Sequence, residues 1–421
     1  MNFNTLFRLR FPVMMFLFMW MNINSGYWNL REFDTPMQMV HAFRGVMPYV
    51  LFPIGLFCYR LRPRLGGRLN PVNWLEGYGW IVLMASALSE YWVAAFYFGV
   101  AFLANIYVPQ LFFQNWQEEE DERVLLYLTW IMLALFTLGI AAVARQSLFV
   151  GYSITGEYKA GVSGMAMSRS SGIARFFGAS ALLSCCKFWG TKTKIRWLWI
   201  LPAGACAVIV WYMQSRGAML GFAVGVLFML LVGRTPKIVY VLIVIFVVGL
   251  YVGGYEKIIM KRVEQQLKRG QDQEQFESMS GRTKAYKKAW KVIAENPFIG
   301  QGNWADRLTI KEHVHNSYLQ ALMNGGIIGF IPYVISWVVG WRLFFLLARW
   351  RDMMRPIEKQ LFLEASVIMA FFTVRSIPET TTASYSIASL TMVSVYMFMV
   401  VLYERLKLRL LEETGEQESD D

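Results

Sequence analysis

Apolar runs long enough to cross a bilayer recur along this chain from residue 11 to residue 403, leaving no stretch that could build a separate soluble core. A membrane-crossing helix needs roughly 20 apolar residues, fewer when its ends are aromatic or carry long basic side chains. About twelve runs meet that criterion, centred in 11–24, 42–59, 76–90, 92–113, 124–144, 172–188, 196–212, 217–232, 238–254, 326–348, 360–376 and 383–403. The division between the third and fourth rests on Ser89 and Glu90 alone. In hydrocarbon the backbone must satisfy its own hydrogen bonds, and runs of this length do so as helices. The expected fold is therefore an all-α polytopic membrane protein.

Only 17% of the 421 residues are charged, against about 25% in soluble proteins. A formal charge of +12 would suggest nucleic acid in a soluble chain. Here Lys and Arg collect in short loops at 60–68, 187–196, 233–237, 349–359 and 404–410, which therefore face the cytoplasm. With twelve spans those loops alternate and both termini are cytoplasmic. One transmembrane domain then covers 1–403, with a long outer loop at 255–316 and an acidic cytoplasmic tail at 404–421. Cys58, Cys185, Cys186 and Cys206 all lie in apolar runs, without disulfide or metal spacing. Arg8 and Arg10 precede a first apolar run that lacks a small-residue cleavage site, so an uncleaved span is expected. There are no inverted halves of the kind that mark transporters. Arg342 and Glu364 lie close enough to span ends to snorkel.

The outer loop is too long and polar for a simple connector. Ile259, Val263 and Leu267 repeat every four residues, as in an amphipathic continuation of the ninth span. In "SGRTKAYKKAWKVIAENP", Ser280 can cap a helix that Asn296-Pro297 stops. Tyr286, Ala289, Trp290, Ile293 and Ala294 form an apolar stripe opposite Lys284, Lys287, Lys288 and Lys291, a pattern suited to a headgroup layer. Arg282 sits in the first turn, where the helix dipole also favours an anion. "HVHNSYLQALMNGGIIGF" (313–330) then supplies two of the chain's three histidines, and Gly325 with Gly329 in a spacing that favours close helix packing.

Other outward-facing charges are few: Arg216 between the seventh and eighth spans, Arg169 and Arg175 at the sixth, Arg375 and Glu379 at the eleventh. Guanidinium forks match phosphate oxygens and stay charged. Around one outer cavity they would hold a lipid diphosphate, and a neutral histidine beside them could take a proton from an attacking hydroxyl. No metal or other cofactor is required. The chain has no DxD pair, and its three histidines make a poor metal set. His315 is the candidate base and His313 its bystander.

The segments "SRGA", "GR…AW…I…NPFIGQG" and "HNSYLQALMNGGIIGF" resemble the O-antigen ligase family of bacterial membrane glycosyltransferases, which includes O-antigen and exopolysaccharide polymerases. The likeness covers roughly residues 210–335. It implies a GT-C-like enzyme of the inner membrane with 255–316 as a periplasmic catalytic loop. The implied donor is an undecaprenyl-pyrophosphate-linked glycan, transferred with inversion and without metal to a hydroxyl of lipid A–core. By motif, Arg216 and Arg282 would bind the donor and His315 would activate the acceptor. Arg375 and Glu379 rank second, and Arg175 and Arg169 match loosely. Polymerases of this group often place a glycine eleven residues after an outer-loop arginine. Arg169, Arg175, Arg262, Arg269, Arg282 and Arg307 are followed there by Ser180, Cys186, Gln273, Ser280, Ile293 and Tyr318. That absence favours the ligase. A polymerase extending lipid-linked repeats is the alternative, and a lipid-linked sugar flippase the second, although the latter predicts internal symmetry and charge deep in the spans.

Overall fold

A computed structural model describes residues 36–60, 65–110, 121–143, 170–213, 215–233 and 282–414. The expected first and ninth spans, the amphipathic continuation at 255–269, Ser280, Arg169 and residues 415–421 of the tail lie outside these. Among the described residues the regular elements are all helices, with no strand. α1 is Pro36–Arg60, α2 Pro71–Ala85, α3 Trp92–Gln110, α4 Asp121–Val143, α5 Ser170–Gly190, α6 Ile200–Tyr212 and α7 Arg216–Val232. α8 is Arg282–Glu295, α9 Ala305–Leu308, α10 Ser317–Arg349, α11 Pro356–Arg375 and α12 Ile387–Thr414. Among the described residues, five helical stretches are long and apolar enough to cross a membrane: Trp92–Gln110, Arg123–Ala142, Lys194–Tyr212, Ser317–Arg349 and Ile387–Glu412. Gly45–Phe57 and Arg216–Val232 are shorter apolar helices. The chain is thus a helical, multi-pass membrane protein, and each expected span within the described residues coincides with a helix. The third and fourth are separate helices, because a 3-10 turn over Ser86–Leu88 and the residues Ser89–Tyr91 break them.

The chain divides into two compact units. The first comprises Met1–Met132, Ala285–Ala365 and Ser376–Asp421. Its core is α10 packed on α2. Methyls placed on Gly325 and Gly329 would meet Tyr78, Val82 and Ile81 at 3.3–3.8 Å, so these glycines let the two backbones approach closely. α12 is buried along most of its length, and Arg409 near its end makes a two-pronged ion pair with buried Glu358 (3.0 and 2.7 Å). Glu364 is fully buried and accepts from Gln360 Nε2 at 2.6 Å, so it does not snorkel as its sequence position suggested.

Inside α10, Gly326 takes φ 60° and ψ −165°, and the helix breaks. Such a break orphans carbonyls before it and amides after it. The segment 297–302 supplies four replacements. Gln301 N–H donates to Met323 O and Gly302 N–H to Asn324 O, each at 2.9 Å. Ile327 N–H donates to Pro297 O at 2.8 Å and Ile328 N–H to Phe298 O at 3.1 Å. The approach is so close that a methyl on Gly326 would lie 2.3 Å from Phe298 backbone atoms. The "NPFIGQG" stretch therefore completes a broken helix, and the glycines make room for it.

The second unit comprises Leu133–Lys284 and Ser366–Arg375. Ile173, Ala174, Phe177 and Ala181 of α5 form its core with Cys206 and Val210 of α6, Met213 and Ala218 of α7. α5 and α7 run parallel: Gly178 and Gly221 both face the Phe371 ring, and one turn on Leu182 packs on Gly225.

Candidate functional site

α8 forms where the lysine-rich amphipathic pattern predicts a helix, and stops at Glu295 before Asn296-Pro297. The stripe read from the sequence as suited to a headgroup layer divides: Ala289 and Ile293 turn inward onto Ala305, Val314 and Met323, with Tyr286 at the margin and Ala285 buried beside them in the helix. Trp290 is 56% exposed, and Ala294 is exposed as well. Small alanines carry little hydrophobic weight in a sequence but permit the closest packing. Lys288 pairs with Glu312, which ties the loop before α10 to this helix.

That loop is held in an unusual backbone. Trp304, Lys311 and His315 all have positive φ, His315 at 50°. Histidine is among the side chains that tolerate this region best, and strain of this kind concentrates at functional sites. Trp304 stacks on Phe98 at 3.9 Å, and Asn303 Nδ2 donates to Phe98 O. Asp306 follows in the one-turn α9 and is fully buried. It accepts from His313 Nδ1 at 2.8 Å, Val314 N at 3.3 Å and Gln320 Nε2 at 3.1 Å. Burial pushes the Asp306 carboxyl up, but the His313 hydrogen bond, nearby positive charge and the Val314 amide outweigh it and hold the group below its ordinary value. Burial pushes His313 down to about 4, against the opposing pull of Asp306. His313 is thus neutral, with its proton on Nδ1. Sequence reasoning made it a bystander, or a ring bonded at a helix N-terminus. It bonds to Asp306, while Asn316 caps α10 through Leu319 N at 2.8 Å.

His315 meets Glu379. Its Nδ1 lies 2.9 Å from Oε2 of that carboxylate, 64 residues further along. Glu379 reaches this point because the segment after α11 is docked on the start of α10. Ser317 N–H donates to Ser376 O at 2.9 Å, Ser317 Oγ to Glu379 O at 3.1 Å, and Thr381 N–H to Ser317 Oγ at 2.8 Å. Tyr78 OH and Asn324 Nδ2 both donate to Ala383 O. A polar segment buried this deeply needs such partners. The carboxylate fixes the His315 proton on Nδ1 and leaves Nε2 as the acceptor. The His313 and His315 rings are 4.1 Å apart. One ligand atom from each ring and one from Glu379 lie within 4.8 Å of one another, so these three side chains could also hold a cation.

The sequence grouped Glu379 with Arg375 at the donor. In the structure it partners His315, a pairing that neither spacing nor motif could have revealed. Asp306 and Ser317 were not singled out at all, since each gains its role from contacts made in three dimensions.

In the second unit, Arg216 opens α7 and Arg175 lies in the second turn of α5. The parallel packing of these helices puts both arginines at their N-terminal ends, where partial positive charge favours anions. Arg175 also lies over Phe176, 4.9 Å from the ring centroid. Arg375, 2% exposed, ends α11 one turn past Phe371. Arg282 is the first residue of α8.

No curated protein matches the chain. Arg216, Arg282, Asp306, His313 and His315 all fall within residues 201–334, which match a family model described as O-antigen ligase.

Proposed function

We propose that the protein is a membrane glycosyltransferase that moves a glycan from undecaprenyl pyrophosphate to a hydroxyl of lipid A–core, on the periplasmic face of a bacterial inner membrane. The observation that carries this reading is the His315–Glu379 pair, an imidazole oriented by a carboxylate, with His315 inside the stretch that matches the O-antigen ligase model. The acceptor oxygen attacks the anomeric carbon while His315 Nε2 takes its proton. The glycosidic bond to the diphosphate breaks in the same displacement, which inverts the anomeric centre, and the diphosphate departs with the bonding pair. Arg216 and Arg282 balance that charge, with Arg375 and Arg175 in support. Glu379 stabilises the imidazolium formed in the step. The reaction consumes no nucleotide and uses no metal.

The test uses purified protein in nanodiscs with an undecaprenyl-pyrophosphate-linked oligosaccharide and EDTA. Wild type is run beside His315→Ala and Arg282→Ala, with lipid A–core in one reaction and only lipid-linked repeats in another. Product on lipid A–core that disappears in both variants is expected. A ladder of longer lipid-linked chains would make the protein a polymerase with the same residues. Bound donor without product in either reaction would leave the flippase reading and remove His315 as a base.

A further inference from the structure

The loop before α10 gathers more ligating atoms than a transfer base requires. His315 Nδ1 and Glu379 Oε2 are 2.9 Å apart, and one ligand atom from each of His313, His315 and Glu379 lies within 4.8 Å of the other two. Zinc bonds near 2.0–2.1 Å in a tetrahedron put ligand atoms about 3.3 Å from one another. The first pair would open by only ~0.4 Å, and His313 would close in by at most about 1.5 Å, a modest ring movement.

His313 is oriented for such a role. Its Nδ1 is taken by buried Asp306, which leaves Nε2 as the atom to offer. A carboxylate behind the non-ligating nitrogen is the usual outer partner of a metal-bound histidine. Asp306 is itself fixed by Val314 N–H and Gln320 Nε2. The side chains of His313, His315 and Glu379 are 13%, 16% and 8% exposed, so an ion has a route in and water can complete its shell. Two imidazoles and one carboxylate suit zinc-class cations, whereas Mg²⁺ and Ca²⁺ prefer oxygen ligands throughout.

We infer that His313, His315 and Glu379 form a site for a borderline divalent transition metal, represented by Zn²⁺, and that filling it silences glycan transfer. The inhibitory half rests on the proposed role of His315. With the ion on Nδ1, the single proton of the neutral imidazole resides on Nε2. The nitrogen that would receive the acceptor's proton is then already protonated. The ion is an inhibitor here, and the transfer reaction runs without it.

The full-length protein, purified without chelator, is titrated with ZnCl₂ by calorimetry beside His313→Gln and Glu379→Gln, with MgCl₂ as control. Zinc affinity at least tenfold weaker in both variants, with no magnesium binding, is expected. Equal zinc affinity in all three proteins would overturn the site. Because a variant can fail to fold, Co²⁺ is added to wild type as an independent probe. Visible bands of a tetrahedral nitrogen–oxygen site are expected, while a strong thiolate charge-transfer band would place the ion on a cysteine and overturn the assignment. Transfer rates with and without zinc are then compared as a ratio for each protein. At least tenfold inhibition of wild type, reversed by EDTA and needing at least tenfold more zinc in His313→Gln, is expected. Zinc held by these residues with no effect on the transfer rate would keep the site and overturn its inhibitory role and His315 as the base.

Discussion

His315 and Glu379, 64 residues apart in the chain, meet with Nδ1 and Oε2 separated by 2.9 Å. The contact depends on the docking of 376–381 against Ser317, so the His315 ring is oriented by the same hydrogen bonds that seat the loop. His315→Ala is expected to lower the transfer rate by at least about 10²-fold while donor binding persists. Glu379→Gln keeps the shape but loses the charge that steadies an imidazolium, and should cost at least about tenfold in turnover. Glu379→Asp should recover part of that loss. Single-turnover rates beside donor-binding isotherms check all three. Equal loss of binding and turnover would point to a seating defect in place of a base.

Asp306 and His313 make stability depend on pH in a definite direction. His313 titrates at about 4 when folded and at 6.5 ordinarily. Between those values the unfolded chain holds a proton that the folded chain does not, so stability falls as pH drops through this window. The slope is at most about 1.4 kcal/mol per pH unit for one proton. Asp306 is also held below its ordinary 3.8, and adds a further loss as pH falls from that value through its folded one. His313→Gln, which cannot titrate, should flatten the upper window. Thermal unfolding in detergent between pH 7 and pH 4.5 reads the difference between variant and wild type. Asp306→Ala strands three buried donors and should cost about 2–4 kcal/mol at pH 7.

Gly326, at the break in α10, and Gly139, within α4, should respond oppositely to alanine. A methyl on Gly326 would meet Phe298 at 2.3 Å at a φ of 60°, whereas one on Gly139 in α4 meets nothing within 4 Å. Left-handed backbone alone costs an alanine roughly 1–2 kcal/mol, before any clash. Gly326→Ala should therefore lower folded yield and melting temperature sharply. Gly139→Ala should be neutral or stabilise by about 0.5–1 kcal/mol. If Gly326→Ala melts like wild type, the interlock between 297–302 and α10 is not what holds the break.

The helices were legible in the sequence because each apolar run is long and ends on a recognisable break, as at Ser89–Glu90 or Asn296-Pro297. Gly325 and Gly329 announced close packing by spacing, and the structure puts them on Tyr78, Val82 and Ile81. The break at Gly326 was hidden, since it sits inside an apolar run and its hydrogen bonds come from a different segment. The packing of α8 was hidden for a related reason: periodicity weighted Trp290, which is exposed, while Ala289 and Ile293 pack against Ala305 and Val314 from a different segment. His315 could be singled out by motif. Its pairing with Glu379 could not, because a hydrogen bond across 64 residues leaves no local trace.

Arg216 tests whether charge or geometry matters at the N-terminal end of α7. A lysine would keep the positive charge but offer a point where arginine offers a planar fork. If Arg216 grips a diphosphate through paired hydrogen bonds, Arg216→Lys should weaken donor binding by roughly tenfold, and Arg216→Ala by more, each bond to a charged group being worth about 1.5–3 kcal/mol. The packing of α7 should survive both changes, because Gly221 and Gly225, which seat it on Phe371 and Leu182, lie further along the helix. Binding isotherms with the lipid diphosphate at two salt concentrations, beside melting curves, separate the possibilities. Full affinity in Arg216→Lys would mean the site needs only charge. Full affinity in Arg216→Ala would remove this residue from the donor site and leave its place at the helix start as a topological charge.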